Sequence, residues 1–186
     1  LPLEGGGISF FDLEFNTRMN PIIENNYQAK IRAPFGVMGI RTLDDKYLIN
    51  LSFLSGKESI IAPKKNSVAH LVCVQLQQYF DNPKYKFDLP IKLSGTAHQI
   101  KVWEALQKIP CGKPWSYGEL SARIDSSPRA VGTACGKNPI VIVIPCHRII
   151  AANGQLGGFM GGKQDDPLSI KKWLLRHEAN EATLFA

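Results

Sequence analysis

The sequence predicts an α+β protein of two lobes: an N-terminal sheet-plus-helix domain and a C-terminal helical domain that contains a helix-turn-helix. Three observations point there. YLINLSF at 47–53 alternates apolar and polar residues with the period of a half-buried strand. Thr96 with Gln99, and Ser116 with Glu119, each have the spacing of a capping box that opens a helix. Between the two patterns runs DNPKYKFDLPIKLSG, a Pro- and Lys-rich connector suited to a lobe boundary. The units are residues 1–26 as an N-terminal extension, 27–90 as the α/β domain with its connector, and 91–186 as the C-terminal domain.

Each element has its own warrant. The opening LPLEGGGISFFDLEFNTR mixes acids with apolar residues and lacks a basic start, so it does not read as a signal peptide. Met19 is a candidate biological start, with residues 1–18 a fusion remnant. Residues 27–54 read as short strands, with Tyr47, Ile49, Leu51 and Phe53 on one face and TLDDK as the turn before them. A helical period follows over 66–80, where Val68, Leu71, Val72 and Gln75 flank Leu76 and Tyr79. Thr96 caps a helix bearing Val102, Trp103 and Leu106, which IPCGK closes. Ser116 caps the next, with Tyr117, Leu120 and Ile124 as its stripe. After the turn DSS, Ser127-Pro128 has the N-cap and N1 pattern of a third helix, PRAVGTAC, which ends at Gly136. Two short helices with a turn of about three residues make the helix-turn-helix pattern. Ala130, Gly132, Thr133 and Ala134 leave one face of the second helix small, which suits close approach to another helix or to a nucleic-acid groove. The β-branched run PIVIVI at 139–144 reads as a buried strand that ends on Cys146. A last helix, IKKWLLRHEAN, buries Ile170, Trp173 and Leu174 and carries Glu178 one turn further on.

Composition narrows the function classes. The 186 residues are 44% hydrophobic and 20% charged, an ordinary soluble balance, and no apolar run reaches the ~18 residues of a membrane span. Twenty-two Lys and Arg against 16 Asp and Glu give +6, which permits an anionic partner such as nucleic acid but equally describes solvated lysines. The four cysteines, Cys73, Cys111, Cys135 and Cys146, form no CxxC pair and no zinc-finger spacing. No metal site and no cofactor is expected, and the thiols read as reduced in a cytosolic setting.

The chemistry gathers around Pro-Cys-His-Arg at 145–148. A thiol becomes a nucleophile as its thiolate, which needs a base or a positive field nearby. His147 is adjacent to Cys146, although neighbouring side chains usually diverge, and Arg148 is an alternative source of positive field. Glu178 is placed to orient an imidazole, completing a Cys-His-Glu arrangement. The same residues also fit a core cysteine, a surface histidine and a solvated acid at a helix end.

Five ordered motifs decide between these readings: SYGEL, RAVGTACGKNP, NPIVIVIPCHR, PCHRII and KKWLLRHE. Together they resemble the O6-alkylguanine-DNA alkyltransferases, the methylated-DNA–protein-cysteine methyltransferases. The resemblance is close from about Thr96 to Glu178 and looser over 27–95, where APFGVMGI is similar to the family's N-terminal strand pair. It implies an RNase H-like N-terminal domain and a single-turnover direct-reversal repair protein. By resemblance, Cys146 takes the alkyl group from O6 of guanine, with O4 of thymine as a further substrate. His147, acting through a water and steadied by Glu178, receives the thiol proton, and Asn138 holds the turn that presents Cys146. Tyr117, Ile149, Phe159 and Met160 are the implied substrate-binding residues. Arg129 is similar to the arginine that fills the space of the flipped base, with Ala130, Gly132 and Thr133 beside it on the DNA. The implied partner is double-stranded DNA containing O6-alkylguanine, bound through its minor groove by a monomer that is cooperative on DNA. Localisation is cytoplasmic, or nuclear in a eukaryote.

The sequence departs from that family's pattern in places. Phe159 stands where Tyr is frequent, and Met160 where a small residue is common, which implies a pocket narrowed against bulky alkyl groups. KQDDPLS at 163–169 reads as an insertion before the last helix, and Ala97-His98 replaces the usual Pro-Phe. Relatives that bind alkylguanine without repairing it lack the cysteine, which is present here. The methylation-sensing relatives carry N-terminal metal-binding cysteines, and none precedes Cys73.

Overall fold

A computed structural model describes residues 26–159 and 167–179 of the chain. Met160, residues 163–166 of the expected insertion and residues 1–25 lie outside them. Strands β1 (Ala29–Ala33), β2 (Gly36–Leu43) and β3 (Tyr47–Leu54) form an antiparallel meander in the order β1-β2-β3. Its second turn places Asp44 and Asp45 at φ 52 and 50, a left-handed conformation that short acidic side chains tolerate.

The meander corrects the simple alternation expected of β3. Arg41 pairs with Asn50 but Thr42 with Leu48, so Ile49 is an extra residue in the ladder. A bulge shifts the phase of every side chain beyond it. Leu48, Leu51 and Phe53 are therefore buried, while Tyr47 is 42% exposed and Ile49 is only half-buried.

Helix α1 (Val68–Asp81) starts at Ser67, whose hydroxyl accepts from the His70 N–H, and buries Ala69, Val72, Gln75, Leu76 and Tyr79. Leu71, expected on the core face, is 40% exposed. Buried Gln75 has a reason to be there. Its amide accepts from the Asp88 N–H at 2.8 Å and donates to the Asp88 carbonyl at 2.7 Å, pinning the connector to the helix. Further along, the connector pairs with the free edge of β3 through Leu48. The same edge accepts the start of the 139–144 run: the Leu51 N–H donates to the Pro139 carbonyl, and Leu51's carbonyl accepts from Val141.

The three central helices form where their caps place them. Helices α2 (Ala97–Leu106) and α3 (Tyr117–Arg123) each open with a complete capping box, at Thr96/Gln99 and Ser116/Glu119. Helix α4 (Pro128–Cys135) has Ser127 as N-cap, Pro128 in its first turn and Gly136 as C-cap. The buried Trp103 indole donates to the Ala134 carbonyl at 2.9 Å, fastening α4 to α2. Strands β4 (Trp115–Ser116) and β5 (Ile149–Ile150) make a short parallel pair, and α5 (Pro167–Glu178) closes the described fold. No described helix is long and apolar enough to cross a membrane. The architecture is α+β, a small sheet with five helices.

One expected element is absent. The run 139–144 is not a regular strand; it forms a single bridge with β3, Leu51 to Ile140, and then turns back so that Val141 bridges Ile144. Ile142 sits at φ 71, a costly conformation for a β-branched residue that persists only where its surroundings enforce it. What enforces it lies at the candidate site.

Candidate active site

Asn138 organises the turn. Its side-chain oxygen accepts from the Ile140 N–H at 3.0 Å, and its amide donates to the Ile144 carbonyl at 2.7 Å. The same amide lies 3.2 Å from Cys146 Sγ. Composition made 139–144 look like a strand, but a buried Asn offers the backbone an alternative set of partners, and the strand gives way to a closed loop. Cys146 then opens a single 3₁₀ turn, Cys146–Arg148, and is 4% exposed.

That turn sends the next two side chains towards α5. The His147 ring is fully buried, and its Nε2 lies 2.9 Å from Glu178 Oε1. Arg148 grips the same carboxylate with two bonds, Nε to Oε2 at 2.8 Å and Nη2 to Oε1 at 2.9 Å, and donates from Nη1 to the Ile109 carbonyl. Tyr79, from α1, donates its hydroxyl to Oε1 at 2.9 Å.

Charge follows from these contacts. Burial works to raise the Glu178 pKa, but hydrogen bonds from His147 and Arg148 and the Arg148 charge overcome it and hold the carboxyl below its usual range. Burial lowers His147, more than Glu178 raises it, so the imidazole is neutral near pH 7. A carboxylate has no proton to give, so Nε2 carries the hydrogen and Nδ1 keeps its lone pair. That Nδ1 is buried without a hydrogen-bond partner among the described residues. The Cys146 thiol is pushed up by burial, against the smaller pull of Asn138 and of the Lys171 charge. It is therefore a thiol in the resting protein, and reaction requires a base to remove its proton.

The source of that positive charge was not legible in the sequence. Lys171, on α5, is fully buried, and its ammonium donates to the carbonyls of Ile149 at 2.6 Å, Leu156 and Gly158 at 3.2 Å. Desolvation lowers its pKa to about 8. Within KKWLLRHE, Lys171 has the i+3 and i+7 spacing to Leu174 and Glu178 that marks the buried stripe, whereas Lys172 is exposed; the spacing marks its face but not the acceptors of a buried charge.

A family model described as the 6-O-methylguanine DNA methyltransferase DNA-binding domain matches residues 97–180. A methylated-DNA–protein-cysteine methyltransferase of Methanosarcina mazei is 40% identical over 143 residues, covering 74% of this chain and 87% of the relative. The chain belongs to this methyltransferase family. A constitutive family member from Bacillus subtilis is 34% identical over 161 residues, covering 82% of this chain and 95% of its own. Among solved family structures, a Mycobacterium tuberculosis O6-methylguanine methyltransferase superposes with a TM-score of 0.69 at 33% identity, covering 84% of this chain and 94% of the other. The Mycobacterium tuberculosis OGT in complex with DNA gives 0.68 at 35% identity, covering 84% and 98%.

The other residues that the family resemblance singled out fall into two groups. Tyr117 opens α3, is half-buried, and donates to the Gly158 carbonyl at 3.3 Å, while burial pushes its pKa up to about 12. Gly157 lies against its ring at φ 66, and a Cβ there would come within 3.2 Å of the phenol. Phe159 is buried beside Phe53 and faces the Lys171 ammonium at 5.9 Å. Ile149 is wholly buried, paired with Trp115 in β5, and its carbonyl is one of the Lys171 acceptors. On α4, Arg129 and Thr133 are exposed, Ala130 and Gly132 half-buried. The Thr133 hydroxyl turns back to the Arg129 carbonyl at 3.1 Å, and Gly132 lies beside the Tyr117 ring. Arg129, Ala130 and Thr133 line a shallow cleft of about 430 Å³ together with Thr96, His98 and Ser127. On α4, Val131, Ala134 and Cys135 are buried inward, and Arg129 and Thr133 face solvent.

Proposed function

We propose that this protein repairs alkylated DNA by irreversible transfer of a methyl or larger alkyl group from O6 of guanine to Cys146, once per molecule. The observation that carries the reading is the buried Cys146 beside a neutral His147 whose Nε2 is tied to Glu178 and whose Nδ1 has no partner among the described residues. Sγ attacks the alkyl carbon as the carbon–O6 bond breaks. The thiol proton passes through a water to His147 Nδ1, and guanine leaves with a proton taken up at the base, assisted by the Tyr117 phenol. Asn138 steadies Sγ, while Ile149 and Phe159 belong to the base pocket with Tyr117. O4-alkylthymine is a further substrate of the same chemistry, and Met160 disfavours bulky alkyl groups.

A base inside the duplex is out of reach, so the lesion is flipped at a cost of a few kcal/mol. Helix α4 acts as the second helix of a helix-turn-helix in the minor groove. Arg129 fills the vacancy while Ala130, Gly132 and Thr133 allow close approach. The lysine surplus supplies sequence-independent phosphate contacts, which suits a lesion that arises anywhere. The protein works as a cytoplasmic monomer that binds DNA cooperatively. An RNase H-like N-terminal unit at 27–90 supports the reactive unit at 91–186.

Intact-mass measurement tests this directly. Incubation with O6-methylguanine DNA adds one methylene, about 14 Da, to Cys146 and nothing further at longer times. Cys146→Ala takes up no methyl and keeps its DNA affinity; uptake on Cys111 or Cys135 in that variant overturns the assignment.

A further inference from the structure

We infer that Tyr79, contributed by α1 of the N-terminal unit, is a positioning residue for the proton relay, setting the basicity of Glu178 and through it the proton affinity of His147. The inference rests on the relay reading given above. Among the described residues, Glu178 Oε1 accepts three donors, the Tyr79 hydroxyl, His147 Nε2 and Arg148 Nη2, while Oε2 accepts only Arg148 Nε. Tyr79 is 1% exposed and lies 99 residues from its acceptor, so this bond crosses from one half of the chain to the other. Burial and the Glu178 charge both raise the phenol's pKa, so it stays a donor throughout the working range. Its ring is held independently by Phe87 at 5.5 Å and His177 at 5.2 Å, and its carbonyl meets His177 Nε2 at 2.8 Å.

The consequence is electrostatic. Each donor on Oε1 ties up part of the carboxylate's charge and weakens its pull on an imidazolium at His147. Around His147, the Arg148 and Lys171 charges oppose a proton and Glu178 favours one; the buried Cys146 thiol, and Cys111 near the Glu178 backbone, are neutral. With the phenol gone, Glu178 pulls harder, and His147 binds a proton at a higher pH than before. Less neutral base is then available on the acid side, and the ring is less firmly aimed at every pH.

Tyr79→Phe keeps the ring and removes only the donor. With O6-methylguanine DNA under single-turnover conditions, the saturating rate falls roughly 10-fold, in line with loss of one hydrogen bond to a charged group. The half-saturating DNA concentration is unchanged, and the acid limb of the pH–rate profile moves to higher pH. Glu178→Gln, run in parallel, reads the relay itself. An unaffected Glu178→Gln variant removes the relay and the inference with it. A slow Glu178→Gln variant beside a Tyr79→Phe variant of wild-type rate and profile overturns the inference alone. A Tyr79→Phe variant that is slower but keeps the wild-type acid limb also overturns it, because packing loss does not move a titration.

Discussion

Replacing Lys171 with Met exposes how much the active-site floor depends on one buried cation. Met matches the length and apolar stem of Lys but leaves the carbonyls of Ile149, Leu156 and Gly158 without their shared donor. Ile149 and Leu156 lose this donor at about 2 kcal/mol each, and Gly158, which keeps the Tyr117 hydroxyl, loses one of two bonds at about 1 kcal/mol, roughly 5 kcal/mol in all. Against this stands the relief of no longer burying a charge. A pKa lowered from 10.5 to about 8 means that holding Lys171 protonated near neutrality costs about 3 kcal/mol. Lys171→Met is therefore destabilised by about 2 kcal/mol at pH 7, a fall in Tm of roughly 4–8 °C for a chain of this size. The pH dependence has a definite sign. Because the folded pKa lies below the unfolded one, the unfolded chain holds the Lys171 proton more tightly, and the wild type gains stability from pH 8 towards pH 10.5. The variant lacks that gain, so the gap between the two proteins widens over this range, while thiol and phenol titrations shared by both cancel. Urea unfolding at steps from pH 7 to 10.5 measures it. A gap that stays flat or narrows refutes the assignment of a strained, protonated Lys171.

Three further outcomes are expected. Asn138→Ala leaves the Ile140 N–H unpaired and strips the Ile144 carbonyl of one of its two donors, the Cys146 N–H remaining, costing about 2–4 kcal/mol by urea unfolding and most of the methyl uptake; unchanged stability would mean that the turn holds itself. Arg129→Ala slows repair in duplex DNA much more than reaction with free O6-benzylguanine, because the free base leaves no vacancy to fill, and equal losses would place Arg129 in the pocket or the fold instead. On acidification, stability falls in two stages. His147 and Glu178 both have folded pKa values below their unfolded 6.5 and 4.5, so His147 withdraws its contribution as the pH drops below about 6.5 and Glu178 below about 4.5. His147→Gln abolishes the first stage; a variant that retains it assigns that titration elsewhere.

Local chemistry was legible from residue order alone. Caps at Thr96, Ser116 and Ser127 satisfy backbone donors two or three residues away, so those helix starts are written where they occur. Pro-Cys-His-Arg and the Glu in the last helix announced a Cys-His-Glu set, and the fold brings His147 and Glu178 within 2.9 Å. Other features depend on partners far along the chain. The start of β3 changed face, with Leu48 buried in place of Tyr47, because β2 pairs across a bulge, which alternation within 47–53 cannot register; Leu51 and Phe53 stay on the expected face. The β-branched run at 139–144 has every propensity of a strand, yet Asn138 and the edge of β3 bend it into a turn. Tyr79 stood in the sequence only as part of a helical stripe, and Lys171 carried no reading, because their partners lie 99 residues and 13 to 22 residues away. Residue order determined the helix starts, since these rest on contacts a few residues apart, and it supplied the residue types of the Cys-His-Glu set. Tertiary structure alone decided the charge state of the site, because desolvation and the convergence of Tyr79, Arg148 and Lys171 on it exist only once the distant segments are packed together.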